Sequence, residues 1–249
     1  LIKEGTPSAS VVMAAYNGER YIARQVESIL SQLRENDELV ISVDPSTDAT
    51  KQIALRFASA DNRVRVLEGP GRGVVRNFEN ALAHVRGGII FLSDQDDVWH
   101  PAKLRSCIAA LQDGCASAVV HDAVVVDGDL NELQSSVFKG GFYSGVWRNV
   151  LRNRYMGCCM AFRREVLDAA LPFPPKIPMH DQWLGIAARR LGEVAYIDKP
   201  LVFYRRHNNT VTGREKAGPI TRLRWRLDIV MALVRLKKRT GRTKKADGN

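Results

Sequence analysis

The sequence is poor in the features that staple a chain or carry it across a membrane. Its four cysteines (Cys107, Cys115, Cys158, Cys159) have neither metal-ligand spacing nor the density of a disulfide scaffold. They read as free, buried thiols in a reducing cytoplasm. No run approaches the roughly eighteen uninterrupted apolar residues of a spanning helix. The opening stretch LIKEGTPSAS lacks the apolar core of a signal peptide. Internal repeats and low-complexity linkers are missing too. So are GxxxxGK[ST] and a GxGxxG after the first strand-like run, which sets aside the common phosphate-cradling loops.

What is present is an ordinary globular composition over 249 residues, 45% hydrophobic and 26% charged, enough for one large domain or two small ones. The net charge of +10 is unevenly spread: from Pro219 onward there are ten Lys and Arg against two Asp, leaving only +2 for the 218 residues before. The basicity belongs to the tail, which argues against the body of the protein being a nucleic-acid binder.

Apolar runs and helical spacing alternate through the first half. Strands are expected at 10–14, 39–43, 64–67 and 89–92. Between them, 19–33 has a helical stripe through Val26, Ile29 and Leu33. A second helix follows Ser46 or Thr47 as cap, with Ile53, Leu55 and Phe57 among its apolar positions, and a third spans about 74–85. This βαβαβαβ pattern predicts a parallel sheet with helices on both faces. In the second half, Gly157–Phe162 reads as a buried strand, 172–178 as a proline-rich loop, a helix starts near Asp181, and 202–207 forms a last strand.

In open α/β sheets ligands bind beyond the carboxyl ends of the strands. Asn17, Asp44 and the cluster Asp94, Asp96 and Asp97 in FLSDQDDVW all fall just past strand ends, so one face would collect them. Three carboxylates within four positions repel one another unless something positive lies between them. A divalent cation with a nucleotide diphosphate satisfies that need, because hard cations take oxygen ligands from both protein and phosphate. The plainer alternative is a solvated acidic turn leading into the helix after Pro101. Arg72 and Arg76, in PGRGVVRNF, enter a helix and suit phosphate. Asp181, beside His180 and Trp183, is either a helix cap or a general base. His207 is either a metal ligand or a loop histidine.

The motifs VVMAAYNGERYI, SVDPSTDAT, GVVRNFENAL, FLSDQDDVW, GCCMAFRREVL, MHDQWLG and FYRRHNNTVTG occur in an order that resembles the inverting family 2 glycosyltransferases. The resemblance covers about residues 9–213 and is closest to the rhamnosyltransferase-like branch. It implies an α/β GT-A nucleotide-diphospho-sugar transferase fold, with a Rossmann-like, mostly parallel central sheet and helices on both faces. The catalytic domain would span 1–213, with a nucleotide half at about 9–100 and an acceptor half at about 101–213. Residues 214–249 would form a basic amphipathic helix and tail.

Carried over by position, the resemblance implies that Ala15, Tyr16, Asn17 and Asp44 line the base pocket, with Glu19 close by on the donor. Arg76, Asp94, Gln95, Asp96 and Arg206 would contact the rest of the donor. Asp96, Asp97 and His207 would hold Mg²⁺ or Mn²⁺. Asp181 would be the catalytic base, with His180 and Trp183 toward the acceptor. Val43 and Pro45 depart from the family's acidic and glycine positions, and Gln182 stands where this branch often has an aromatic residue.

The activity implied is transfer of a sugar, foremost L-rhamnose from dTDP-L-rhamnose, onto a saccharide or undecaprenyl-linked saccharide in bacterial surface-polysaccharide synthesis. The alternative donor is a UDP-sugar, glucosyl or galactosyl. The tail places Leu223, Leu227, Val230 and Val234 at helical spacing among Lys and Arg near Trp225. That pattern suits peripheral contact with the cytoplasmic face of the inner membrane, packing on the domain, or a homodimer. Two rival enzymes, an aspartate-nucleophile phosphohydrolase and a nucleotidyltransferase, fit less well. The acidic cluster follows the fourth strand instead of the first, and no lysine-anchored glycine loop lies near the N-terminus. A nucleic-acid-binding role lacks stacking platforms and a recognised motif.

Overall fold

The structure, a computed structural model, describes residues 5–112, 114–206 and 218–246. β1 (Ala9–Ala15), β2 (Glu38–Val43), β3 (Val64–Glu68) and β4 (Ile89–Asp94) alternate with α1 (Ile22–Leu30), α2 (Thr50–Ala60) and α3 (Val74–Leu82), as the apolar pattern predicts. β1, β2 and β4 are continuous apolar runs because each is covered on both faces. The chain continues through β5 (Val98–Trp99), α4 (Lys103–Gln112), β6 (Ala116–Val126), β7 (Glu132–Gln134), α5 (Val146–Leu151), β8 (Met160–Arg163) and α6 (Arg164–Ala170). It ends with α7 (His180–Leu191), β9 (Glu193–Arg205) and α8 (Pro219–Ala246).

Among the described residues all nine strands join one sheet, ordered β3-β2-β1-β4-β8-β6-β9-β5, with β7 paired to β6. The half from β3 to β4 is parallel; β8 runs antiparallel to both β4 and β6, and β9 is parallel to β6. α1, α2 and α4 cover one face, while α3, α6 and α7 cover the other, with α5 and α8 outside them. β2 lies on one side of β1 and β4 on the other, so the strand order reverses between β1 and β4. The crevice between them is the switch point at which such sheets bind ligands.

Several local expectations change. α1 starts at Ile22, because Gly18's carbonyl turns the chain through hydrogen bonds from Tyr21 and Ile22 (both 3.0 Å). Neither Ser46 nor Thr47 caps α2; Asp48 accepts the Thr50 N–H (3.0 Å) instead, and Leu55 faces solvent. Gly157–Cys159 is a 3₁₀ turn, so the strand begins only at Met160. β9 begins nine residues before the apolar run that marked it. Its register against β6 shifts where Pro200 offers no N–H, and Asp198-Lys199 breaks the apolar pattern there. Of the cysteines, Cys107, Cys158 and Cys159 are buried free thiols, whereas Cys115 is exposed.

Candidate active site

Strand register brings the motifs to one edge: Ala14 lies opposite Asp94, and Ala15 opposite Val43. Gln95 clips the loop after β1 to the end of β4, its amide accepting the Tyr16 N–H (2.9 Å) and donating to the Tyr16 carbonyl (2.8 Å). A Cβ on Gly18 would lie 2.1 Å from Gln95 Oε1, so any larger residue there would push the Gln95 amide out of the clip. Asn17 adopts a left-handed φ of 46°, which Asn tolerates, and its Oδ1 accepts the Thr47 N–H (2.9 Å). Asp44 is buried; its N–H donates to Ala15 (2.9 Å) and its carboxylate accepts the Gly71 N–H (2.9 Å). Tyr16, 55% exposed, stands at the rim.

The acidic turn is not a solvated one. Asp97 is fully buried, while Asp94 and Asp96 are half-buried. Gln25, buried on α1, donates to Ser93 Oγ (2.8 Å) and to the Asp94 carbonyl (3.0 Å), fixing the strand end. Burial, then the charges of Asp96 and Asp181, push the Asp94 carboxyl up to about 7, and Lys103 draws it partly back. Asp97 is held well above the carboxylate range by burial and by the Asp96 and Asp94 charges. One Asp97 oxygen accepts the Arg205 N–H (2.9 Å); the other is buried without a well-formed hydrogen bond, the Cys158 thiol lying beside the carboxylate.

Two buried cations answer these acids. Lys103 has no exposed surface; its ammonium donates to the Cys158 carbonyl (2.6 Å) and sits 4.2 Å from the Trp99 ring centre. Arg205 donates through Nε to the Asp96 carbonyl (2.6 Å), reaches the Gly128 carbonyl, and lies over the Tyr21 ring at 4.6 Å. β5 pairs with β9 immediately after the acids (Val98 with Phe203, Trp99 with Val202), so the turn is held from behind by the last strand.

Among the described residues, the group able to hold a metal is Asp94, Asp97 and Cys158, whose ligand atoms all lie within 4.8 Å of one another. Two carboxylates with an orphaned buried oxygen fit a hard cation such as Mg²⁺ or Mn²⁺, and the thiol is the soft member of the set. The carboxylate of Asp96 is outside this group, although its charge acts on both neighbours. His207 lies outside the described residues.

Asp181 faces the same crevice from α7. Its helix is entered from Met179, and Asp181 lies in the first turn instead of at the cap. Its Oδ1 accepts the Gln182 N–H (2.5 Å) and the Asn153 amide (3.4 Å). Burial pushes its carboxyl up to about 6, against hydrogen bonds from the backbone of Gln182 and Gly157 and from Asn153. Gly157 is the hinge of the arrangement: a Cβ there would meet His180 Nε2 at 3.2 Å, Asp181 Cβ at 3.7 Å and Leu92 Cδ1 at 3.7 Å. β4 and α7 therefore meet across a glycine, and the end of each carries an acid.

Other expected residues are committed elsewhere. Trp183 is core, 2% exposed, with its indole N–H on the Ala170 carbonyl (3.1 Å), and so presents no acceptor surface. His180 is buried against Phe78 (ring centres 4.0 Å), which pushes its imidazole down to about 3 and keeps it neutral. Arg76 pairs with Glu79 and donates to the carbonyls of Pro174 (3.2 Å) and Pro175 (2.9 Å), so it clamps the proline loop. Glu19 accepts the Ala49 N–H (2.9 Å) at the start of α2. Arg206 is exposed, its N–H on Val126 (2.8 Å).

Sequence reasoning missed Gln25, Lys103, Asn153, Cys158 and Arg205. Lys103 left a trace: with Cys107 and Leu111 it shares the apolar face of α4, an unusual place for a lysine.

A mixed α/β sheet of this order, with acids gathered at its switch point, is the GT-A form of nucleotide-diphospho-sugar transferases. The glycosyl transferase family 2 profile matches residues 10–171, and the chain belongs to that family. Asp181 and β9 lie beyond the matched stretch. An uncharacterized glycosyltransferase of Nostoc is 26% identical over 208 residues, covering 80% of this chain and 64% of the relative. EpsH of Bacillus subtilis, described as a putative glycosyltransferase, is 28% identical, covering 84% of this chain and 64% of its own. The chain thus spans just under two thirds of these relatives' length. The dTDP-rhamnosyl transferase RfbG of Shigella flexneri is 29% identical, covering 81% of this chain and 73% of the relative. Among solved structures, S. aureus TarS in complex with UDP-GlcNAc superposes with a TM-score of 0.70 at 20% identity, covering 88% of this chain and 64% of TarS. The Pyrobaculum calidifontis mannosyltransferase PcManGT, with GDP-Man and Mn²⁺, gives 0.59 at 22% identity, covering 96% and 65%.

Proposed function

We propose that the protein transfers a sugar from a nucleotide diphosphate to an acceptor hydroxyl in one displacement that inverts the anomeric centre. The observation that carries this reading is the approach of β4 and α7 across Gly157, where Leu92 and Asp181 flank the glycine, which leaves Asp94 near enough to Asp181 for the charge of one to raise the pKa of the other. The loops after β1 and β2, with Tyr16, Asn17 and Asp44, receive the base and ribose. The end of β4 receives the diphosphate. Asp94 and Asp97 would hold Mg²⁺ or Mn²⁺, with Asp96 beside them, and the cation would neutralise charge on the leaving diphosphate.

Asp181 takes the proton of the acceptor hydroxyl as it attacks the face of the sugar opposite the nucleotide. A carboxyl poised at about 6 is ionised at neutral pH yet basic enough for that task. No side-chain nucleophile is required. Arg205 ties the acidic turn through Asp96 and Asp97, and the charge of Lys103 acts on Asp94 and Asp97, before any ligand arrives.

The donor is dTDP-L-rhamnose on this reading, supported by the likeness to RfbG. The alternative is a UDP-sugar. It is favoured by a second relative, the Escherichia coli UDP-Glc:alpha-D-GlcNAc-diphosphoundecaprenol beta-1,3-glucosyltransferase WfgD, 27% identical over 186 residues and covering 71% of this chain and 68% of its own. A saccharide on an undecaprenyl carrier, presented at the cytoplasmic face of the membrane, is the acceptor that fits both.

The test is thermal stability with dTDP, UDP and GDP, each with and without Mn²⁺, for the wild type, Asp94→Ala and Asp96→Ala. Ligand at about 100 times its Kd adds ~2.7 kcal/mol, a rise of roughly 5–10 °C for a domain this size. A metal-dependent rise with one nucleotide, lost in the variants, names the base and supports the site. No rise with any of the three sinks the reading.

A further inference from the structure

α8 has two apolar faces where a helix on a globular surface needs one. Ile229, Ala232 and Leu236 are 1–2% exposed on the side packed over α5 and α6. At about 100° per residue these three fall within roughly 60° of the helix circumference. Ile220, Leu223, Leu227, Met231 and Val234 fall on the opposite side and are 83%, 56%, 58%, 62% and 51% exposed. Their spacing of three, four, four and three residues makes a continuous outward stripe.

The stripe does not stand alone. Arg226 donates to the Leu151 carbonyl (3.0 Å), which fixes α5 alongside, and α5 exposes Trp147 (67%) and Leu151 (62%).

Charge identifies what covers this surface. Residues 219–246 carry ten Lys and Arg against one Asp. A second copy would bring the same charge against it, whereas an anionic lipid surface offers the opposite sign. Tryptophan beside aliphatic residues and arginine is the composition that settles at the headgroup boundary. No helix among the described residues is long and apolar enough to cross a membrane, so contact would be from one side.

We propose that the outward face of α8, with Trp147 and Leu151 of α5, docks on an anionic lipid bilayer. The docking requires nothing of the sugar-transfer reading. It does orient the site: the α5 residue Asn149 accepts the Gln182 amide (2.6 Å) through its carbonyl, one residue from Asp181. The bilayer would lie one helix away from the candidate base.

The experiment is co-sedimentation of the full chain with vesicles of phosphatidylcholine alone or with phosphatidylglycerol, at low and high salt, for wild type and Leu223→Glu/Leu227→Glu. Both leucines point outward, so the variant should keep the wild-type melting temperature and any nucleotide-induced shift. Expected are binding to phosphatidylglycerol vesicles, little to phosphatidylcholine, and at least about a tenfold loss of affinity in the variant. Quenching of wild-type tryptophan fluorescence by brominated lipid, diminished in Trp147→Phe, reads the same contact without disturbing α8. Three results overturn the proposal: no binding to anionic vesicles, binding equal in wild type and the double variant, or a wild-type dimer that the double variant splits. The last would assign the stripe to a second copy.

Discussion

Asp181 is buried with a carboxyl that binds its proton more tightly in the folded state than in the unfolded chain. Between pH about 4 and 6 the unfolded chain has released that proton while the folded protein keeps it, so this group lowers stability as pH rises through that window. Above 6 the full penalty remains, up to about 3 kcal/mol for a shift of this size. Asp181→Asn should therefore melt higher than wild type at pH 7 and lose the advantage below pH 4, read by thermal denaturation across pH. The same substitution should cut turnover ~10²–10⁴-fold. Wild-type turnover should fall toward acid with a midpoint near 6 as the base becomes protonated. A variant that melts lower at pH 7, with an unchanged acid limb, would remove Asp181 from the base role. How far single residues were legible turned on register. In YRRH the sequence offers two neighbouring arginines, and only the pairing of β9 with β6 and β5 decides that Arg205 points inward and Arg206 outward. Asp94 and Asp44 were readable because strand ends are visible in apolar runs. The role given to Trp183 failed because the first nine residues of α7 are buried all round, polar ones included, which makes it core.

At the scale of elements, two clamps invite opposite outcomes. Gln95 ties the loop after β1 to β4 by two hydrogen bonds. Gln95→Ala should leave the melting temperature within a few degrees and raise the donor KM about 5–30-fold, since each bond contributes roughly 1 kcal/mol to the loop's preorganisation. Arg76 links α3 to the proline loop through Glu79 and two carbonyls. Arg76→Ala should therefore cost about 1–3 kcal/mol of stability while changing donor KM little. Calorimetry with steady-state kinetics separates the two, and a large KM effect would return Arg76 to the donor. The four strands and three helices of the first half were legible because strands covered on both faces have no polar alternation to confuse them. The second half was harder: Gly157 belongs to a turn for a reason only the packed fold supplies, the proximity of His180 and Leu92.

In the whole molecule the parallel half of the sheet, β3 to β4, is completed by elements far along the chain. α8 packs over α5 and α6 with Ile229, Ala232 and Leu236. A chain ending at residue 218 should lose about 3–5 kcal/mol, the burial of two large aliphatic side chains and a smaller one, seen as a lower midpoint in urea. An unchanged midpoint would show that α8 adds nothing to the core.

The dependence of the acidic turn on β9 also has a consequence for biosynthesis. β1 to β4 can pair with one another as soon as they leave the ribosome, although the far edge of β4 waits for β8. Asp97, however, gains its backbone donor, and Asp96 its guanidinium, only when Arg205 arrives more than a hundred residues later. A nascent chain therefore displays its first four strands with Gln25 already holding the end of β4, while Asp96 and Asp97 take their final places only once β9 has threaded between β6 and β5.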